Sequence, residues 1–217
     1  MRYLLLLAIM LASATASFAQ QLDYSHWEFY GGYAYERADN SAVRLNRDAA
    51  ISSGNGAIAK VNFASQKIKL QGASVEVVAN LNRHVGIVAN FSGEFNNHVR
   101  YFSGLGTFDA RVRRWHYFVG PRFNGRNSSI LVPFGEALFG VTRAETRFSQ
   151  SIQSAAKCET AFSMALGGGL DIRAGKRIDV RAGQLDYIPT FFKNQRDDAW
   201  RFSAGIKIKT APVEDEP

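Results

Sequence analysis

Beyond its first residues this 217-residue chain has one cysteine, four histidines and no long apolar run, and each scarcity removes a class of protein. The lone Cys158 closes no internal disulfide and stands far from the start of the mature chain, where a lipid-anchor cysteine would be. The fold is expected to be unstapled. His26, His84, His98 and His116 share no metal-ligand spacing with one another or with Cys158, so neither a metal nor any other cofactor is expected. No later stretch is apolar over the roughly 18 residues that would suggest a spanning helix.

What is present begins with Arg2, a short apolar run over Tyr3 to Ala12, and the small-residue site Ser17-Phe18-Ala19. These are the parts of a secretory signal, cut after Ala19, and the run is shorter than the roughly 20 residues of a membrane anchor. Removal leaves 217 − 19 = 198 residues. Glycine (19), phenylalanine (16) and tyrosine (8) are abundant, and the net charge is +7. The cations are spread along the chain without a nucleic-acid-reading motif, which favours an anionic lipid surface over DNA or RNA as partner.

Period-two alternation dominates the rest. A strand sends successive side chains to opposite faces, so a wall between lipid and lumen needs one apolar set and one small or polar set. Trp200, Phe202, Ala204, Ile206 and Ile208 alternate with Arg201, Ser203, Gly205, Lys207 and Lys209; Phe162, Met164, Leu166, Leu170 and Ile172 alternate with Ser163, Ala165, Asp171 and Arg173. Further strands start at Trp27, Ala73, Val85, Trp115, Val132 and Ile178, which gives eight. In the seventh, strict alternation from Ile178 would aim Gln184 and Asp186 at lipid, so a β-bulge near Gly183 is expected to reset the phase. Trp115, Trp200, Tyr35 and Phe162 are expected in an outer aromatic girdle, Trp27 and Phe123 in an inner one.

The connections are short at Asn80–His84, Asn124–Ser128 and Ala174–Arg177, and longer at Arg37–Lys69, Asn96–Ala110, Arg143–Thr160 and Pro189–Asp198. That rhythm predicts an all-β fold: an eight-stranded antiparallel up-and-down transmembrane β-barrel behind a cleaved signal peptide, with both mature termini in the periplasm. The expected boundaries are 1–19 for the signal, 20–210 for the barrel and 211–217 for an acidic tail. A soluble lipocalin-like carrier is disfavoured, because it would keep its polar face outside and its apolar face around a ligand.

The order of several short segments resembles the outer-membrane β-barrel domain proteins related to the OmpA-type barrel. They are Glu28-Phe29-Tyr30-Gly31-Gly32-Tyr33, Phe118-Val119-Gly120-Pro121-Arg122-Phe123, Pro133-Phe134 with Ala137-Leu138-Phe139-Gly140, Ala165 to Asp171, and Asp186-Tyr187 with Pro189. The resemblance covers the mature chain. It implies a closed barrel in a Gram-negative-type outer membrane, with the lipid, lipopolysaccharide and the insertion machinery as partners and no general chemistry. The chain departs from the pattern at its last strand, where Ile208 is followed by Lys209 and Thr210 rather than by a terminal aromatic.

Candidate sites follow from the inward phase. Glu28, Glu76, Arg122, Glu136, Asp171, Arg173, Asp179, Arg181, Asp186, Arg201 and Lys207 carry both signs and are expected to form a neutralising network that fills a lumen only wide enough for side chains. Arg122 and Glu136 are expected partners on adjacent strands. Gly167–Gly169 lacks the Lys-Ser/Thr of a phosphate loop. Lipid A palmitoyltransferase and deacylase barrels share the resembled architecture, yet no acid and serine stand at legible spacing from a histidine, and His116 is expected beside Arg114. No enzyme is expected. A structural or surface-interaction barrel leads, ahead of a narrow solute channel and a lipid A-modifying enzyme.

Overall fold

The computed structural model describes residues 24–39, 50–52, 58–60, 67–103, 106–127, 129–148, 156–192 and 195–210. The proposed signal and the acidic tail lie outside them. Ten strands follow one another: β1 (Trp27–Asp39), β2 (Ala50–Ser52), β3 (Ile58–Lys60), β4 (Lys67–Asn80), β5 (Val85–Ser103), β6 (Gly106–Asn124), β7 (Leu131–Phe148), β8 (Ala156–Arg173), β9 (Ile178–Phe192) and β10 (Gln195–Lys209). Strands β2 and β3 pair as a small hairpin, and the other eight close into an antiparallel barrel in which each strand pairs with its sequence neighbours and β1 pairs with β10. Closure leaves no unpaired barrel edge, the condition for crossing a hydrocarbon layer with strands.

The alternation decides which way each side chain faces. Phe29, Tyr33, Val75, Val77, Ile87, Phe91, Val119, Leu166, Ile206 and Ile208 are exposed on the outside, while the charged residues between them are buried within. This is the reverse of a water-soluble protein, and an apolar exterior running round every strand is far larger than a soluble monomer tolerates. Trp27 and Tyr35 are eight residues apart on β1. That spacing is ~27 Å of strand, or ~20 Å of height at the usual tilt, close to the apolar band of a transmembrane barrel.

At β9 the register slips opposite Leu170/Asp171 and opposite Ser203/Gly205, which places an extra residue at Ala182–Gly183. The bulge lies where the phase argument puts it, and beyond it Gln184 and Asp186 are buried. Close packing requires glycine at Gly140, where a Cβ would meet the carbonyl oxygen of Tyr117 on the neighbouring strand at 1.8 Å, and on the outer wall at Gly93, where it would strike the Trp115 ring at 2.4 Å.

One expectation is corrected. Asn96–Ala110, Arg143–Thr160 and Pro189–Asp198 are not mainly loops, because β5 to β10 run well into them. In these extensions the polarity turns over. Inward Ile68, Leu70, Val99, Ala110 and Val112 are apolar and buried, whereas outward Arg37, Lys69, Arg111, Arg113 and Arg143 are exposed. A bulge between Asn96 and Val99 shifts the phase as well. A rule that seeks apolar residues outside fails where the outside is water. The end of the barrel with the three short connections is called the turn end below, and the extended end the loop end.

Candidate functional site

The lumen nearer the turn end holds one continuous lattice. Arg126 donates to Glu28, whose other oxygen lies 3.2 Å from Lys207 Nζ; Lys207 also reaches Asp171 at 2.8 Å and Asp179 at 3.2 Å. Lys209 meets Asp179 at 2.6 Å. Arg181 donates to Asp171 at 2.9 Å and to Glu76 at 2.7 Å, with its guanidinium 4.0 Å above the Tyr30 ring. Arg122 sends Nη2 to both Glu76 and Glu136 at 2.5 Å and Nε to Glu136 at 2.8 Å. Gln184 links Glu136 (2.7 Å) to Asp186 (2.9 Å), and Arg201 joins Asp186 at 2.9 Å to Ser92 at 2.6 Å.

Long-range strand pairing brings these groups to comparable heights. Arg122 stands directly opposite Glu136 between β6 and β7, Asp171 opposite Arg181 between β8 and β9, and Asp186 opposite Arg201 between β9 and β10. Of the inward residues chosen from sequence, ten are buried, namely Glu28, Glu76, Arg122, Glu136, Asp171, Asp179, Arg181, Asp186, Arg201 and Lys207. Arg173 differs. It is half-buried at the turn end, opposite Asp179, because its strand finishes there.

A second cluster sits above, level with the outward rings of Tyr35, Phe95 and Trp115. Glu36 Oε1 accepts from Arg114 at 2.6 Å, and its Oε2 is 2.7 Å from His116 Nε2. Glu94 Oε2 is 3.5 Å from the same nitrogen, and Asp197 lies 3.5 Å from Arg114. His116 Nδ1 meets the Thr142 hydroxyl at 2.8 Å, which in turn meets Ser163 at 2.7 Å. His116 faces inward as Arg114 does, and the two share Glu36, which reaches them from β1; a second carboxylate, Glu94, faces the imidazole from the adjacent strand β5. Asp197 and Arg126 escaped the sequence reading because they lie in segments taken as a loop and a turn, and Glu94 because it lies beyond the residues read as the third strand.

The order hydroxyl, imidazole, carboxylate in Thr142, His116 and Glu36 is that of a hydrolase triad. All three side chains are fully buried among packed neighbours, so no substrate reaches the hydroxyl. His26 and His98 are exposed, His84 is half-exposed at a turn, and Cys158 is exposed with its sulfur 3.0 Å from Arg143 Nε.

On the outer wall, Tyr33, Gly72, Gly93, Phe95 and Trp115 line a shallow apolar groove, and Phe91 stacks on Trp115 at 5.7 Å. Immediately beyond it toward the loop end come Lys69 paired with Arg37, and Arg113 opposite Phe95. Exposed Arg111, Arg143 and Arg147 continue this cationic collar, in which Glu145 pairs with Arg147 and Asp198 with Arg196.

No family model matches the chain, and no curated protein matches it. Among solved structures it is similar to the Neisserial surface protein A, with a TM-score of 0.58 and 13% identity over 86% of this chain and 98% of that one. It is also similar to the outer membrane protein OprG from Pseudomonas aeruginosa, with a TM-score of 0.56 and 14% identity over 87% and 97% of the two chains. At such identities the likeness is one of fold, and the fold is that of the small eight-stranded outer-membrane barrels.

Proposed function

We propose that this chain is an integral outer-membrane barrel that conducts nothing and serves as a structural or surface-interaction element. The observation that carries this reading is the ion-pair lattice from Glu28 to Arg201, whose members are buried throughout and occupy the cross-section a solute would need. An eight-stranded barrel has room for side chains or for a path, and here side chains take it. In this reading Met1–Ala19 is the cleaved export signal, 20–210 the barrel and 211–217 a periplasmic tail; the turn end faces the periplasm and the extended strands face outward. Protein isolated from outer membranes should have the mass of a chain beginning at Gln20. In planar bilayers it should give no steady ohmic current, and a reproducible unitary conductance would make it a channel.

The partner that fits the outer wall is lipopolysaccharide. An acyl chain suits the groove beside Trp115, and phosphate groups suit Arg37, Lys69 and Arg113 just above it, where guanidinium groups offer forked donors to phosphate oxygens. Replacing these three with Gln should reduce the lipopolysaccharide that co-purifies severalfold and leave heat-modifiable folding intact. Unchanged lipid content in the triple variant would remove the collar from the reading.

A further inference from the structure

We propose that Glu36, Glu94 and His116 form a buried site for one divalent first-row transition-metal ion, held inside the barrel at the height of the loop-end aromatic belt. Three strands contribute, β1, β5 and β6, so no sequence spacing announces the site. One ligand atom from each residue lies within 4.8 Å of the others. The two measured separations from His116 Nε2, 2.7 Å to Glu36 and 3.5 Å to Glu94, bracket the ~3.3 Å between ligands bound at about 2.0–2.1 Å around a tetrahedral ion. A shift of less than an ångström in each side chain would complete the geometry.

Three further observations point to a cation. First, Glu94 is buried, and among the described residues neither of its carboxylate oxygens has a hydrogen-bond partner. An ionised carboxylate left this way is costly, and a native fold normally gives it a counter-charge. Second, the imidazole is already oriented. Nδ1 is held by the Thr142 hydroxyl, itself tied to Ser163, so that a proton kept on Nδ1 would leave the Nε2 lone pair for an ion between the two carboxylates, and Arg114 on the far oxygen of Glu36 fixes that group too. Such outer partners are what metal-binding histidines and carboxylates ordinarily have.

Third, two carboxylates meet at one imidazole nitrogen, which calls for positive charge between them. In the lattice below, each carboxylate of Glu28, Glu76, Glu136, Asp171, Asp179 and Asp186 meets at least one cation among Arg122, Arg126, Arg181, Arg201, Lys207 and Lys209. In the cluster above, Glu36 meets Arg114, whereas among the described residues Glu94 has no ion pair with a lysine or arginine and lies 3.5 Å from the His116 imidazole. A doubly charged ion beside neutral His116 supplies that charge. Imidazole with carboxylate selects zinc-like ions over magnesium or calcium, which take oxygen alone. Because the site is enclosed, the ion enters as the barrel forms and contributes to its stability, as structural metals do.

The test uses the full mature chain folded from urea into detergent micelles with zinc sulfate or with EDTA, then desalted. Elemental analysis should find one zinc per barrel. A variant with His26, His84 and His98 all changed to Gln should keep it, and His116→Asn and Glu94→Gln should lose it. Urea unfolding should move to higher denaturant with zinc in the wild type alone. Should His116→Asn not fold, zinc X-ray absorption on the wild type decides, with one imidazole nitrogen and carboxylate oxygens at about 2.0–2.2 Å expected. A metal-free wild type, zinc lost with the surface histidines, or an unfolding midpoint that follows pH and ignores zinc would overturn the proposal; the last outcome would mean that protons neutralise the cluster.

Discussion

Arg122→Met should destabilise the folded barrel by about 3–5 kcal/mol, the range for breaking a buried ion pair by removing one partner. The guanidinium is fully buried and, among the described residues, is the only group hydrogen-bonded to both Glu76 and Glu136, so its loss leaves two buried carboxylates short of charge. The lattice softens the blow without cancelling it, because Glu76 keeps Arg181 and Glu136 keeps Gln184. Adding Glu136→Gln to Arg122→Met removes one stranded charge, so the double variant should be more stable than the sum of the single losses predicts. A double-mutant cycle on urea unfolding in lipid measures this coupling. Additive losses would show that the pair, for all its short contacts, is energetically independent.

Leu166→Arg should cost about 2–4 kcal/mol, since a cation near the bilayer midplane loses its hydration. Leu166 lies on the outside of β8, seven residues from the Arg173 end and four from Phe162 at the aromatic belt. Phe162→Arg on the same strand and face should cost only about 0–1 kcal/mol of lipid-transfer penalty, because its side chain reaches the interface. Folding titrations into vesicles measure both. Equal costs would deny that these positions differ in depth, and a stabilising Leu166→Arg would mean that the outside meets water.

The walls were legible because each lipid-facing strand carries its own record of inside and outside. Trp200 to Lys209 displays that record without interruption, and even the break at Gly183 could be located, because Gln184 and Asp186 had to return inward. What could not be read was of two kinds. Beyond the belt, Ile68, Leu70, Val99 and Val112 face in while Arg37, Lys69 and Arg113 face out, and a pattern of opposite sense looked like loop. Contacts across the lumen were equally hidden. Glu36 and His116 are 80 residues apart, and Glu94 lies past the point where its strand seemed to end. Neighbouring-strand pairs such as Arg122 with Glu136 follow from counting back from a turn, whereas a meeting of β1, β5 and β6 depends on barrel diameter and stagger.

The reversal of polarity part-way along the strands also determines how far the barrel can travel along the membrane normal. Shifted toward its turn end by one residue pair, it would drag the arginines beyond the belt into acyl chains; shifted the other way, it would lift apolar rings such as Phe95 and Trp200 into water. Both displacements are opposed, so the vertical position is a well with steep sides rather than a plateau, and bilayers thicker than the band must thin around the protein for it to stay there. The short apolar height suits an outer membrane, which is thinner than average.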